Sequence, residues 1–260
     1  MISHTLEQAT SEGDPRPNTS ADLARRIALV TGASSGIGRA IAVALAREGA
    51  CLIAVGRNEA ALETTVATAR QYAQAVKFQF DLTLPEVPQA LLRYLEDVGR
   101  LDILIHSAGV MHAELTERAP IEEFDSQYAV NVRAPYVLTQ QLLPRLIAAR
   151  GQIVFINSSV GLAARQADLA QYSASKHALK AVADSLREEV NPKGVRVLSL
   201  YLGRTATPMQ ESRFREEKRD YHPELLMQPE DVARMVIQAI CVPGTAEVTD
   251  ISMRPVHKSY

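Results

Sequence analysis

From Arg26 onward the hydrophobic positions of the chain fall into two alternating patterns. Short runs dense in Val, Ile, Leu and Ala recur at 27–31, 51–56, 76–80, 103–107, 153–157, 195–201 and 248–253. Most are nearly continuous apolar runs, as expected of strands buried on both faces. Between them lie segments of helical length with mixed polar and apolar positions, at 37–48, 59–73, 86–98, 121–149, 173–190 and 229–241. This alternation predicts an α/β fold: one doubly wound parallel sheet of about seven strands, with helices on both faces and right-handed crossovers. Pro135 and Pro144 fall inside the 121–149 pattern. Their missing N–H groups predict a kink or an early end there.

Two stretches break the rhythm. Residues 1–22 are rich in Ser, Thr, Pro, Gly and acidic side chains, too polar to bury a core, and are expected to form a disordered tail ahead of a single domain over 23–260. Residues 210–225 carry Arg213, Arg215, Glu216, Glu217, Lys218, Arg219 and Asp220 between the sixth strand and the last helix. They read either as a solvated helix or loop, or as a mobile lid over a substrate.

Composition narrows the classes. The chain has 260 residues, a formal net charge of −2 and 22% charged residues, so it carries no electrostatic footprint for nucleic acid or an anionic membrane. No apolar run reaches the roughly 18 residues of a membrane span, and the start lacks a signal-peptide pattern. The two cysteines, Cys51 and Cys241, lie in apolar stretches far apart and read as reduced core thiols, with a cytoplasmic location as the default expectation.

Candidate chemistry begins at Thr31-Gly32-Ala33-Ser34-Ser35-Gly36-Ile37-Gly38, between the first strand and first helix. Gly32 suits a tight turn, Gly36 a close approach of backbone to a pyrophosphate, and Gly38 close packing of helix on strand. The helix start then offers unpaired N–H groups to phosphates. After the second strand the chain reads Gly56-Arg57-Asn58, with no carboxylate to hold a bare ribose. Arg57 is suited to gripping a 2′-phosphate, which favours NADP(H) over NAD(H). Ser35 and Asn58 are further donors to the phosphates, and Arg39 is a weaker one. Tyr172 and Lys176 stand four residues apart at the start of a helix pattern, hence on one face. A nearby ammonium favours the phenolate, so Lys176 is expected to lower the Tyr172 pKa from its ordinary value near 10. Ser159, at the end of the fifth strand, is a candidate donor to the substrate oxygen.

Together, Thr31–Gly38, Ser159, Tyr172 and Lys176 resemble the short-chain dehydrogenase/reductase family, in its order and spacing from Arg26 to the C-terminus. The resemblance implies a Rossmann-type fold and adds residues. Asp81 and Leu82 match the adenine contact, and Asn131 the helix asparagine that completes the catalytic tetrad through a water. Gly203, Thr205 and Thr207 match the loop that holds the nicotinamide carboxamide. The family's usual Asn-Asn-Ala-Gly is here His106-Ser107-Ala108-Gly109, in which the last three keep the cofactor turn and His106 stands as a hydrogen-bonding substitute for asparagine. The usual Pro-Gly is Leu202-Gly203, which predicts a more mobile loop.

The implied activity is NADP(H)-dependent hydride transfer at a carbonyl or secondary alcohol, with Tyr172 as general acid–base, Ser159 as oxyanion donor, and Lys176 and Asn131 in support. The alternatives are a redox-neutral epimerase or lyase on the same scaffold and a non-catalytic NADP-binding regulator. Ser159, Gly161, Gln166, Tyr201 and Met209 are expected to line the substrate pocket, to which the arginines of 210–225 could bring an anion. A homodimer or homotetramer follows from the resemblance, and no metal is expected.

Overall fold

The computed structural model describes residues 23–84 and 88–257; the expected tail lies outside them. The strands are β1 (Ile27–Thr31), β2 (Cys51–Gly56), β3 (Ala75–Gln79), β4 (Ile103–His106), β5 (Gln152–Ser158), β6 (Arg196–Leu202) and β7 (Asp250–Met253). They form one sheet in the order β3-β2-β1-β4-β5-β6-β7, parallel throughout. The order reverses between β1 and β4. At that point successive crossovers leave on opposite faces and open a crevice at the carboxyl ends of the strands. This is a doubly wound, Rossmann-type fold.

The near-continuous apolar strands are explained by two cores. In β1, Ala28 and Val30 face one side, where they meet Ile41, Ala42 and Leu45 of α1 (Gly36–Arg47) and Val232 and Val236 of α8 (Pro229–Ile240). Ile27 and Leu29 face the other, with Leu91 and Leu95 of α3 (Gln89–Val98), Leu138 and Leu142 of α5 (Ala134–Ala149) and Leu179 of α6 (Ala170–Val190). Alternate residues of one strand thus serve both layers. α2 (Glu59–Ala69) begins under an Asn58 side chain that accepts the Ala61 N–H.

The 121–149 pattern is one helical stretch with a defect. α4 (Ile121–Tyr128) passes through a π-turn, Ala129–Arg133, into α5, and the Ala134 N–H reaches back to Ala129. Pro135 lacks the N–H that Asn131 would need four residues on, and the wider turn carries the chain past that point. Pro144 lies within α5. The charged stretch contains a helix of its own, α7 (Pro208–Glu216), followed by a 3-10 turn at Pro223–Leu225. Its start is set by Pro208 at the first turn and by the Thr207 hydroxyl, which accepts the Gln210 N–H at 3.3 Å. Among the described residues no helix is long and apolar enough to cross a membrane.

Candidate active site

A cleft of about 400 Å³ opens at the carboxyl end of the sheet, over the β1/β4 reversal. Its floor is held by a residue the sequence reading left unassigned. The Thr31 hydroxyl donates to the Ile105 carbonyl at 3.3 Å and accepts the N–H groups of Ser107 and Ala108 at 3.1 and 3.2 Å. It thereby ties the end of β1 to the turn after β4. Gly32 sits at φ +66°, and a Cβ there would fall 2.8 Å from the Ala108 nitrogen. A Cβ on Gly38 would fall 2.3 Å from the Gly32 carbonyl, so the start of α1 lies directly on the glycine turn. Only glycine permits these approaches.

Around the cleft stand Ser34, Ser35, Gly36 and Ile37 on the glycine turn, Arg57 and Asn58 after β2, and Asp81 and Leu82 after β3. Ser107, Ala108 and Gly109 follow β4, and Gly203, Thr205 and Thr207 follow β6. The residues anticipated as cofactor contacts, Arg39 excepted, therefore line one cleft. Arg57 is exposed at the rim. The Asp81 carboxyl is held below its usual range by the Thr83 N–H and hydroxyl, with help from the Arg57 charge. Arg39 is turned away, its guanidinium on the Ser34 carbonyl. Leu202 keeps β6 paired to its end, and Gly203 donates to the Met253 carbonyl at 2.8 Å.

At the reacting end two neighbouring serines are placed differently. Ser158, the last residue of β5, lines the cleft beside Tyr172, whereas Ser159 begins a 3-10 turn and is exposed. One step along a strand changes the face a side chain occupies. Tyr172 and Lys176 share the face of α6 that closes the cleft, with the Lys176 ammonium 5.8 Å from the centre of the Tyr172 ring. Burial pushes the Tyr172 hydroxyl up to about 12, with the Ser158 hydroxyl acting against it. Burial pushes Lys176 down to about 8. Loss of solvation is the larger influence on the tyrosine, and the Lys176 ammonium is directed to the Ile156 carbonyl at 3.2 Å.

Asn131 sits on the π-turn behind Gly109 and Val110 and does not itself line the cleft. Its amide exchanges two hydrogen bonds with the Val110 backbone, each 2.9 Å, and donates to Ser175 at 3.0 Å. It fixes the chain after Gly109 against α6. His106 is buried, stacked on Phe155 with ring centres 4.9 Å apart and 2.8 Å from the Thr139 hydroxyl. Burial lowers its pKa to about 3, so it is neutral.

Of the five residues anticipated at the substrate, Met209 lines the cleft; Ser159, Gly161, Gln166 and Tyr201 do not. Gly161 is packed against the Lys176 carbonyl, 2.9 Å from where its Cβ would be. Gln166 is exposed before the turn that leads into α6. Tyr201 is buried on β6 within reach of the Asp250 and Asp184 charges, which add to the burial that raises its pKa to about 12. Pro208 and Gln210 line the cleft instead, together with Val110 and Leu202. The signal for Gln210 was its place three residues after Thr207, in the first turn of a helix that the charge pattern obscured.

The sequence profile described as short chain dehydrogenase matches residues 26–218. An uncharacterised oxidoreductase of Staphylococcus epidermidis is 31% identical over 239 residues, 91% of this chain and all of the relative. Among solved structures, an alcohol dehydrogenase of the archaeon Thermococcus sibiricus, complexed with 5-hydroxy-NADP, superposes with a TM-score of 0.82 at 26% identity, covering 91% of this chain and 99% of that one. A short chain dehydrogenase of Shigella flexneri complexed with NADP gives 0.80 at 31% identity, covering 89% and 98%. The chain belongs to the short-chain dehydrogenase family and is an oxidoreductase of that family.

Proposed function

We propose that the protein is an NADP(H)-dependent carbonyl reductase or alcohol dehydrogenase acting on a small neutral substrate, with Ser158, Tyr172 and Lys176 as its catalytic residues. The observation that carries this reading is the meeting of those three side chains with the glycine turn and Arg57 in one cleft. The cleft suits the cofactor on its own terms. The positive-φ glycines leave room for phosphates against the N–H groups opening α1, and Arg57 supplies a cation where a 2′-phosphate would lie. The buried Gln210 Oε1 has no partner within the chain, and it is the one such orphan among the described residues that lines the cleft. A bound molecule with an N–H or O–H donor satisfies it.

When bound, NADPH supplies hydride to the carbonyl carbon of the substrate. The protein's part is the oxygen. The Tyr172 hydroxyl, kept protonated by burial, donates its proton to that oxygen as the new C–H bond forms. Ser158 donates a hydrogen bond to the same oxygen and lowers the cost of its developing charge. The Lys176 ammonium, held within the same buried end, offsets the charge left on the phenolate. Asn131 acts further back, by fixing Val110 and Ser175. Arg213, Arg215 and Arg219 each pair with a carboxylate of the chain, which favours a neutral carbonyl compound over an anion.

The test is NADPH oxidation followed at 340 nm with ketones, aldehydes and diketones, in parallel with NADH. Substrate-dependent oxidation, faster with NADPH and reduced about 10²–10⁴-fold in Tyr172→Phe, is the expected result. Tyr172→Phe turning over like the parent protein overturns the catalytic assignment. Turnover of an alcohol or epimer without net cofactor consumption moves the reading to a redox-neutral reaction.

A further inference from the structure

The charged stretch beside the cleft folds back on itself instead of spreading its charges into solvent. It leaves and rejoins the body at one neck, where Thr205 bridges Met227. There the Ala206 N–H donates to the Met227 carbonyl at 2.8 Å and the Met227 N–H to the Arg204 carbonyl at 3.3 Å. Within the excursion, Glu217 gathers three guanidinium groups: Arg204 at 2.7 Å, Arg213 at 2.8 Å and Arg219 at 3.0 Å. Arg204 and Arg219 also lie over the Phe214 ring, 4.7 and 5.0 Å from its centre. The excursion is therefore a flap with its own small polar core. Pro208, Met209 and Gln210, in its first helical turn, form a wall of the cleft that also holds Ser158 and Tyr172.

One contact ties this flap to the catalytic helix. Arg213, only 9% exposed, extends its outer nitrogen to Asp168 Oδ2 at 2.5 Å. Asp168 lies in the turn leading into α6, four residues before Tyr172, and its backbone carbonyl accepts the Glu114 N–H at 2.9 Å. A single residue thus joins the flap, the loop after β4 and the start of α6. Glu216, at 3.8 Å and largely exposed, is the weaker carboxylate on Arg213. Without Asp168, a buried guanidinium would share Glu217 with two other arginines, and opening the flap to water would relieve it.

We infer that Asp168 is a positioning residue: through Arg213 it latches the flap of residues 206–226 to the catalytic helix and sets the cleft wall that faces the substrate. The substrate part of this statement rests on the oxidoreductase reading; the latch itself does not.

The experiment uses the full chain and Asp168→Asn, which keeps the size of the side chain and the backbone carbonyl but removes the charge. Limited trypsin digestion, with the cut after the exposed Lys218 identified by mass spectrometry, reads flap opening without any turnover. Cleavage there is expected to be about tenfold faster in Asp168→Asn, the scale of one charge-assisted hydrogen bond, and to slow again in Asp168→Glu. NADPH affinity, measured by fluorescence titration, stays within about twofold, while KM for a carbonyl substrate rises several-fold with kcat little changed. Parental cleavage at Lys218 in Asp168→Asn overturns the latch. So does a general loss of NADPH binding and thermal stability, which would assign Asp168 to the fold as a whole. A protein that binds NADPH and protects its flap through Asp168 but reduces no carbonyl would remove the oxidoreductase reading and leave the latch standing.

Discussion

Ser158 and Ser159 are neighbours in the chain, but only the first of them lines the cleft. Ser158 ends β5 in register with Leu202 and lines the cleft; Ser159 faces solvent. Ser158→Ala is expected to lower kcat/KM about 10²-fold, as loss of an oxyanion donor does, and Ser159→Ala to leave it near the parental value. Steady-state kinetics of both variants decide between them, and the reverse pattern would return the role to Ser159. The pair of buried groups next to Ser158 also sets a pH dependence. Burial lowers Lys176 to about 8 and raises Tyr172 to about 12. As pH rises through about 8, Lys176 loses its positive charge while Tyr172 keeps its proton, so the phenolate formed in reduction loses its stabilising neighbour. Since kcat/KM reports groups of the free enzyme, its profile for carbonyl reduction should be flat below that point and fall above it. A profile still flat to pH 10 would count against Lys176 in this role.

At the scale of elements, two local devices position the site, and they differ in how they arise. The glycine turn is written in the chain, because no other residue fits its geometry. Gly32 combines φ +66° with a Cβ position 2.8 Å from the Ala108 backbone, whereas Gly99, which ends α3 at φ +76°, has nothing within 4 Å. Gly99→Ala should therefore cost only the left-handed backbone penalty, about 1–2 kcal/mol. Gly32→Ala adds a backbone collision and should cost more, about 3–4 kcal/mol, with loss of NADPH binding. Urea denaturation of the two variants compares them directly, and equal losses would contradict the close approach of β1 to the β4 turn. The π-turn is less visible in sequence. Pro135 forecast a break, but that the break would direct Asn131 to Val110 and Ser175 depends on how α5 lies against α6.

For the molecule as a whole, the cleft joins the ends of β1 to β6, so a ligand held there braces both halves of the sheet. A ligand at a hundred times its Kd that binds only the folded state adds about 2.7 kcal/mol. For a domain of this size that corresponds to a rise in Tm of about 5–10 °C. NADPH should give such a rise, NADH a smaller one, and Arg57→Ala should bring the NADPH value down to that of NADH. Calorimetry with both cofactors measures this, and equal shifts in the parent protein would remove Arg57 as the selector.

The sequence by itself determined the layered fold, the succession of strands and helices, the glycine turn, the Tyr172/Lys176 pair on one helix face and the strand-end residues that gather around the cleft. These follow from local periodicity, from backbone conformations only glycine adopts and from spacing along one helix or one strand end, all of which are short-range. The tertiary structure decided what depends on distant segments meeting. It placed Ser158 on the cleft wall and its neighbour outside it, left Gly161, Gln166 and Tyr201 off that wall, and buried Tyr172 so that loss of solvation raises its pKa. It also turned a run of charges into a flap fastened at Asp168, because the carboxylate that pairs with Arg213 lies 45 residues away in the chain and 2.5 Å away in the fold.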